Sequence, residues 1–446
     1  EEQLNTLQRQ LGAKVSSFRN KVTNVSPEHI LSALKEQQAI VDFMVFKEIE
    51  LKTNKYKTEQ VIALLAVPNQ GVQLIKLGAL EPISQLIQSY RSAIEPNSYN
   101  DAWFTSNERK QTLEQTSKAL YQKLWQPLVH ALGNKQQVFL IPDGILHLLP
   151  FKALQDEQGQ YLNQKIQITR LGSAREIVIP PLNNKTTTST IFANPVYAAK
   201  SAELSTNAGK NRTVSRSLRG LEFGPLPGTK TESDSIQQTL QNMQQPVKLY
   251  SQLNATEMAI RQEKSPRILH IATHGFFLEN IKAPEGTGKT GRVQFSESGK
   301  AGLTNVENPL ARSGLALTYA NQGILGINQA DGSDGILTAM EVLNLQLEGT
   351  ELVTLSACNT GVGEISVGEG VYSLNRAFQE AGAKAVLSTL WSISDEGTNH
   401  FMQKFYHRFL NNQPPQQALQ ETQDELKDSK KWQDPFFWAP FVMMGQ

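Results

Sequence analysis

From about residue 190 onward the chain alternates short, continuously apolar runs with segments of helical spacing, and few architectures accept that order. Apolar runs at 190–194, 247–250, 267–273, 314–318, 351–357 and 384–390 are interleaved with helical segments near 229–244, 255–263, 337–344, 368–381 and 395–411. A strand buried on both faces is apolar throughout, whereas a half-exposed strand is apolar only at every second residue. Strand–helix alternation also supplies the long crossovers that parallel pairing requires. The pattern therefore predicts an α/β fold, a mainly parallel sheet flanked by helices on both faces.

Two of these runs end on reactive side chains. Arg267-Ile-Leu-His-Ile-Ala-Thr-His274 closes on an imidazole and breaks at Gly275. Glu351-Leu-Val-Thr-Leu-Ser-Ala-Cys358 closes on the one cysteine among 446 residues and runs into Asn359-Thr360-Gly361-Val362-Gly363. In open α/β sheets the carboxyl ends of the strands face the crevice where ligands bind, so Cys358 and His274 can meet there. Taken singly, each has a plainer reading. A free cysteine usually packs as a small hydrophobe, and His270, four residues deeper on the face of His274, reads as a satisfied core histidine. Gly275 separates His274 from that plain reading, because a glycine leaves its N–H open to a ligand, as an oxyanion site requires.

The same strand ends belong to a longer series. His270-Ile-Ala-Thr-His-Gly275, Asp334-Gly-Ile-Leu-Thr-Ala-Met-Glu341, Leu352-Val-Thr-Leu-Ser-Ala-Cys-Asn-Thr-Gly361, Gly368-Glu-Gly-Val371, Ala381-Gly-Ala383, Leu390-Trp-Ser-Ile-Ser-Asp395 and Trp438-Ala-Pro-Phe441 occur in this order. The series resembles the successive motifs of the CHAT family, caspase-like cysteine peptidases often attached to tetratricopeptide repeats and grouped with separase, gingipain and caspases. The resemblance is strong from about residue 110 to the C-terminus and weaker over about 35–110. It implies a caspase-like sheet with an N-terminal inactive, pseudo-protease α/β half beside the active one.

That resemblance also gives the residues roles. An unperturbed thiol is only a few per cent thiolate at neutral pH, so Cys358 needs a neighbouring base. His274 is the histidine placed to take the thiol proton and pass it to the leaving amine. The backbone N–H groups of Gly275 and Cys358 would face the oxyanion. No third triad side chain is evident, and backbone carbonyls often orient the histidine in this group. Trp391-Ser-Ile-Ser-Asp395 matches a segment that contributes to the S1 pocket of separase-like relatives, where an acid selects a basic P1 side chain. The alternative for Asp395 is an N-cap of helix 396–411. Glu364 and Glu369 are secondary candidates for substrate contact, which solvated loop positions explain equally well.

Composition narrows the classes further. With 43 basic and 42 acidic side chains the formal charge is +1, which supports neither a nucleic-acid patch nor an acidic tail. One cysteine excludes a disulfide framework or a Cys-rich zinc site. No apolar stretch has the length of a membrane span and no signal peptide opens the chain, so a cytoplasmic enzyme is expected. The chemistry needs no metal or organic cofactor. The first residue is Glu1, which suggests a piece of a longer protein with repeats or a regulatory segment upstream.

Three regions are expected. Residues 1–35 read as a helical segment with Leu4, Leu7, Leu11, Val15 and Phe18 at helical spacing. Residues 36–181 read as the pseudo-caspase-like α/β domain, with strands over 39–46, 61–67, 72–77 and 138–141, helices over 83–94 and 108–131, and a structural His147. Residues 182–446 read as the active domain, opened by a polar linker and interrupted by basic loops at 200–219 and 279–302. The second loop is expected to gate the site and to offer Lys289 and Arg292 for autocleavage. The function expected is a cysteine endopeptidase acting on a protein substrate after Arg or Lys. The alternatives are a catalytically silent binding module and a thiol acyltransferase using the same dyad.

Overall fold

The computed structural model describes residues 24–50, 55–95, 101–179, 186–198, 222–277, 310, 313–357 and 374–445. The strands are β1 (Gln38–Glu50), β2 (Lys55–Val67), β3 (Gly71–Ala79), β4 (Gln137–Ile141), β5 (Gln167–Arg170), β6 (Ser189–Pro195), β7 (Val247–Gln252), β8 (Ile268–Ala272), β9 (Gly275–Phe277), β10 (Ser313–Ala316), β11 (Ile336–Thr338), β12 (Leu352–Ser356), β13 (Ala385–Thr389) and β14 (Phe441–Gly445). Eleven of them form one sheet in the order β3-β2-β1-β4-β5-β14-β13-β12-β8-β6-β7. Pairing is parallel along β1-β4-β5-β14 and along β13-β12-β8-β6-β7, and antiparallel along β1-β2-β3 and between β13 and β14. The expected α/β architecture, a large and mostly parallel sheet flanked by helices, is present.

The sheet is covered on both faces. Along β8, Ile268 and Ala272 join one buried apolar cluster, whereas Leu269 and Ile271 join another. Successive strand residues point to opposite faces, so these clusters are the two layers. The first holds Ile236 and Leu240 of the Pro227–Asn242 helix and Phe401, Phe405 and Phe409 of the Asp395–Leu410 helix. The second holds Leu374, Ala377 and Phe378 of the Leu374–Glu380 helix.

Local chemistry explains why the two helices of the first layer form. Pro227 opens one of them at a first-turn position, where its missing N–H costs nothing. Ser394 caps the other by accepting from the Gly397 N–H, with Asp395 and Glu396 in the first turn and His407 and Arg408 in the last, each favourable to the helix dipole.

The last strand ties the halves of the sheet together, since β14 runs antiparallel to β13 and parallel to β5. Arg109 of the Asn107–Leu120 helix adds a bidentate bond to Asp434 just before this strand, at 2.7 Å to each oxygen. No helix among the described residues is long and apolar enough to cross a membrane.

Three local readings need correction. The run at 314–318 is not in the large sheet; β10 sits between β9 and β11 in a separate antiparallel sheet. Residues 337–344 do not form one helix, because Ile336–Thr338 is strand β11 and only Ala339–Val342 is helical. Strands β5 and β14 were not anticipated. The Pro27–Ala33 helix is the described part of the N-terminal segment, and the basic loops at 200–219 and 279–302, with Lys289 and Arg292, lie outside the described residues.

Candidate active site

β8 and β12 are adjacent and parallel, with Ala272 opposite Ser356. One step further the Thr273 N–H donates to the Ser356 carbonyl at 3.3 Å, and His274 follows at once. Its ring lies 5.1 Å from the Tyr197 ring and 5.5 Å from the Phe223 ring, centroid to centroid. Nε2 stands 2.8 Å from the Gly224 carbonyl oxygen. A carbonyl can only accept, so Nε2 is the donor here, and the tautomer that this bond selects has its lone pair on Nδ1. The group that orients His274 is therefore backbone, contributed by the segment leading into the Pro227–Asn242 helix.

The strand end is pinned from below. The Thr273 hydroxyl bonds the Tyr197 hydroxyl at 2.9 Å and the Ala316 carbonyl. Gly275 stands opposite Leu315, and the ladder bond at this level runs from the Ala316 N–H to the His274 carbonyl at 2.9 Å. That pattern marks a non-hydrogen-bonded pair, so the Gly275 N–H points away from β10.

Asp395 does not cap its own helix, because Ser394 does. Its side chain is exposed, and the carboxylate fills the space that a Cβ on Gly228 would need. Gly228 lies in the first turn of the Pro227–Asn242 helix, where a helix dipole favours a negative charge. Cys358, Glu364 and Glu369 lie outside the described residues.

His270 is fully buried, in keeping with a core histidine, and its surroundings bring in a residue that sequence reasoning missed. Glu232, on the Pro227–Asn242 helix, accepts from Ser356 Oγ at 2.8 Å through Oε2, and its Oε1 is 3.4 Å from His270 Nε2. On its other side, His270 Nδ1 is 3.0 Å from the Tyr406 hydroxyl, which donates to Thr354 Oγ1 at 2.9 Å. Burial pushes the Tyr406 phenol well above its ordinary value, so it stays protonated. One signal for Glu232 was present in the sequence: Gly228, Glu232, Ile236 and Leu240 recur every four residues, one face of a helix. His147, in the other half, is held neutral, because burial and then Arg170 and Arg376 push its imidazole down to about 3. It remains a structural residue. Among the described residues no group of three His, Cys, Asp or Glu side chains could hold a metal.

Comparison with known proteins gives relatives in sequence and in structure. Tetratricopeptide repeat protein 28 of Homo sapiens is 25% identical over 350 residues, 74% of this chain and 13% of that protein. Its Mus musculus counterpart is 24% identical over 360 residues, again 74% and 13%. This chain thus spans a small part of the length of those relatives. Among solved structures, the Saccharomyces cerevisiae separase–securin complex aligns with TM-score 0.48 and 10% identity, over 94% of this chain and 30% of that one. The Arg-specific cysteine proteinase gingipain R aligns with TM-score 0.38 and 11% identity, over 82% and 74%. The CHAT domain model matches residues 114–446, three quarters of the sequence, and the chain belongs to the CHAT domain family.

Proposed function

We propose that this chain is a caspase-like cysteine endopeptidase that cuts a protein substrate after Arg or Lys, with Cys358 as nucleophile and His274 as base. The observation that carries this reading is His274 itself. It stands at the end of β8 with Nε2 committed to the Gly224 carbonyl and Nδ1 left as the basic atom. The β8–β12 register supports it too, because Ala272 and Ser356 are paired two residues before His274 and Cys358 respectively.

In this mechanism Nδ1 takes the thiol proton and the thiolate attacks the scissile carbonyl carbon, forming a C–S bond. The Gly275 and Cys358 N–H groups receive the oxyanion. Collapse breaks the C–N bond, and the proton held on Nδ1 goes to the departing amine. Water, deprotonated by His274, then releases the acyl group and restores the thiol. Asp395, exposed beside Gly228, would pair with the P1 cation, with Glu364 and Glu369 as secondary contacts.

Residues 36–181 would be the inactive half and 182–446 the active half, following the 1–35 helical segment. The tetratricopeptide name of the relatives supports a repeat array upstream; a regulatory protein is the other partner we propose, and we place the enzyme in the cytoplasm, where a lone thiol stays reduced. The test is hydrolysis of peptides varied at P1, wild type against Cys358→Ala. Acyl transfer without hydrolysis would favour the acyltransferase, and an inert Cys358 toward peptide-based thiol reagents would favour the silent module.

A further inference from the structure

The Pro227–Asn242 helix touches three parts of the candidate site from one face. The carbonyl of Gly224, just before it, holds His274; Gly228 makes room for Asp395; Glu232 reaches under both reactive strands. Glu232 is 4% exposed, and His270 and Thr354 are fully buried, so this carboxylate works in a low-dielectric interior. Buried carboxylates are costly unless fully partnered. Oε2 has Ser356, whereas Oε1 and His270 Nε2, 3.4 Å apart, each lack a hydrogen bond.

Hydrogen-bond directions decide what lies between those two atoms. Tyr406 gives its proton to Thr354, so its oxygen accepts from His270 Nδ1–H. Nδ1 is then the protonated nitrogen, and a bond between Nε2 and Oε1 needs one further proton, held by either group. With that proton the chain Thr354, Tyr406, His270, Glu232, Ser356 is closed. It joins β12 at two residues to β8 at one, through two different helices.

We propose that Glu232 is a positioning residue: by accepting from Ser356 and sharing a proton with His270, it locks the β12 and β8 ends at a fixed relative height and so holds Cys358 within reach of His274. The inference rests on the dyad reading above. Ser356 is two residues before Cys358 and His270 four before His274, so a strand slip at either end is carried directly into the dyad. Misplacement on the order of 1 Å costs about a hundredfold in rate.

The single cysteine makes the test clean, because iodoacetamide can alkylate only Cys358. The measurements are the alkylation rate at neutral pH, kcat and KM on a P1-Arg peptide, and Tm, for Glu232→Ala, Glu232→Gln, Ser356→Ala and the Glu232→Ala/Ser356→Ala pair. Glu232→Ala should slow alkylation and lower kcat about tenfold or more while KM stays within about twofold. Gln can accept from Ser356 and donate to His270 Nε2, so Glu232→Gln should recover most of the loss. Ser356→Ala should share the loss, and the pair should be no worse than Glu232→Ala alone.

A Glu232→Ala protein that melts earlier yet alkylates at the wild-type rate would overturn the proposal, as would Gln behaving like Ala. If no peptide is cut by any form while alkylation follows the expected pattern, the positioning role stands and the peptidase reading fails.

Discussion

The Asp395 carboxylate occupies the place where a Cβ on Gly228 would stand, so the N-terminal turn of one helix and the first turn of another are fitted together through a missing methyl group. Glycine inside a helix ordinarily costs about 0.5–1 kcal/mol against Ala. Here the absent side chain fixes where a charged group lies. Gly228→Ala should displace Asp395 into solvent rather than unfold the chain, because the carboxylate is exposed and can rotate. The expected outcome is a stability change within about 1 kcal/mol of wild type together with a several-fold loss of preference for P1 Arg over an uncharged P1. Thermal melts and kcat/KM for paired substrates check both parts.

Asp395→Asn tests the charge without moving the backbone. Charge-assisted hydrogen bonds contribute about 1.5–3 kcal/mol, so kcat/KM on P1-Arg peptides should fall about 10–150-fold and that on uncharged P1 peptides should hold. Helix stability should change little, since Ser394 supplies the cap. An unchanged ratio between basic and neutral substrates would remove Asp395 from the pocket.

His274 and Cys358 act as one unit in the proposed chemistry. His274→Ala, Cys358→Ala and the double variant should therefore all lose peptide hydrolysis to a similar residual level, because groups acting together are far from additive. Phe223→Ala should give a milder loss, about tenfold in kcat, by freeing the imidazole that Phe223 and Tyr197 pack against beside the Gly224 carbonyl. Steady-state kinetics on the four proteins settles this, and full activity in His274→Ala would end the dyad assignment.

The parts of the fold that were legible in the sequence are those where one residue type must fill a whole strand. β8 and β12 are buried along nearly their full length, so their apolar runs stood out. β10 is just as buried, which made it look like another parallel strand; nothing in so short a buried run distinguishes an antiparallel partner. Its neighbour β11 was absorbed into a helix because Ile336 and Leu337 precede the genuine helical turn at Ala339. β14 follows the last helix and so fell outside the strand–helix alternation. At the site, the strand-end residues could be read, but the Gly224 carbonyl could not, because every residue has one. Glu232 shares its four-residue spacing with Ile236 and Leu240, which the sequence shows, but its partners Ser356 and His270 are brought to it only by the fold.

The Asp334-Gly335 turn carries a pH dependence that is separable from catalysis. Gly335 has φ +74°, and a Cβ there would stand 2.5 Å from the Thr318 carbonyl oxygen, so the turn accepts glycine alone. The Glu257 carboxylate receives the N–H groups of Asp334 and Gly335 at 3.1 and 3.0 Å and pairs with Arg261, which also reaches Glu341. Burial, and then the Asp334 carboxylate, push Glu257 up to about 7 despite Arg261. The folded chain therefore binds this proton more tightly than the unfolded chain does, and between the ordinary glutamate value and about 7 the unfolded state holds fewer protons. Unfolding free energy from this group is thus fully present below that window and falls as pH rises through it, on the order of 3 kcal/mol in total. Glu257→Gln keeps an acceptor for both amides and has no proton to lose, so its stability should be flat where the wild type declines. Urea midpoints at pH 5 and pH 7.5 measure the difference, and equal slopes for the two proteins would show that Glu257 is ionised throughout.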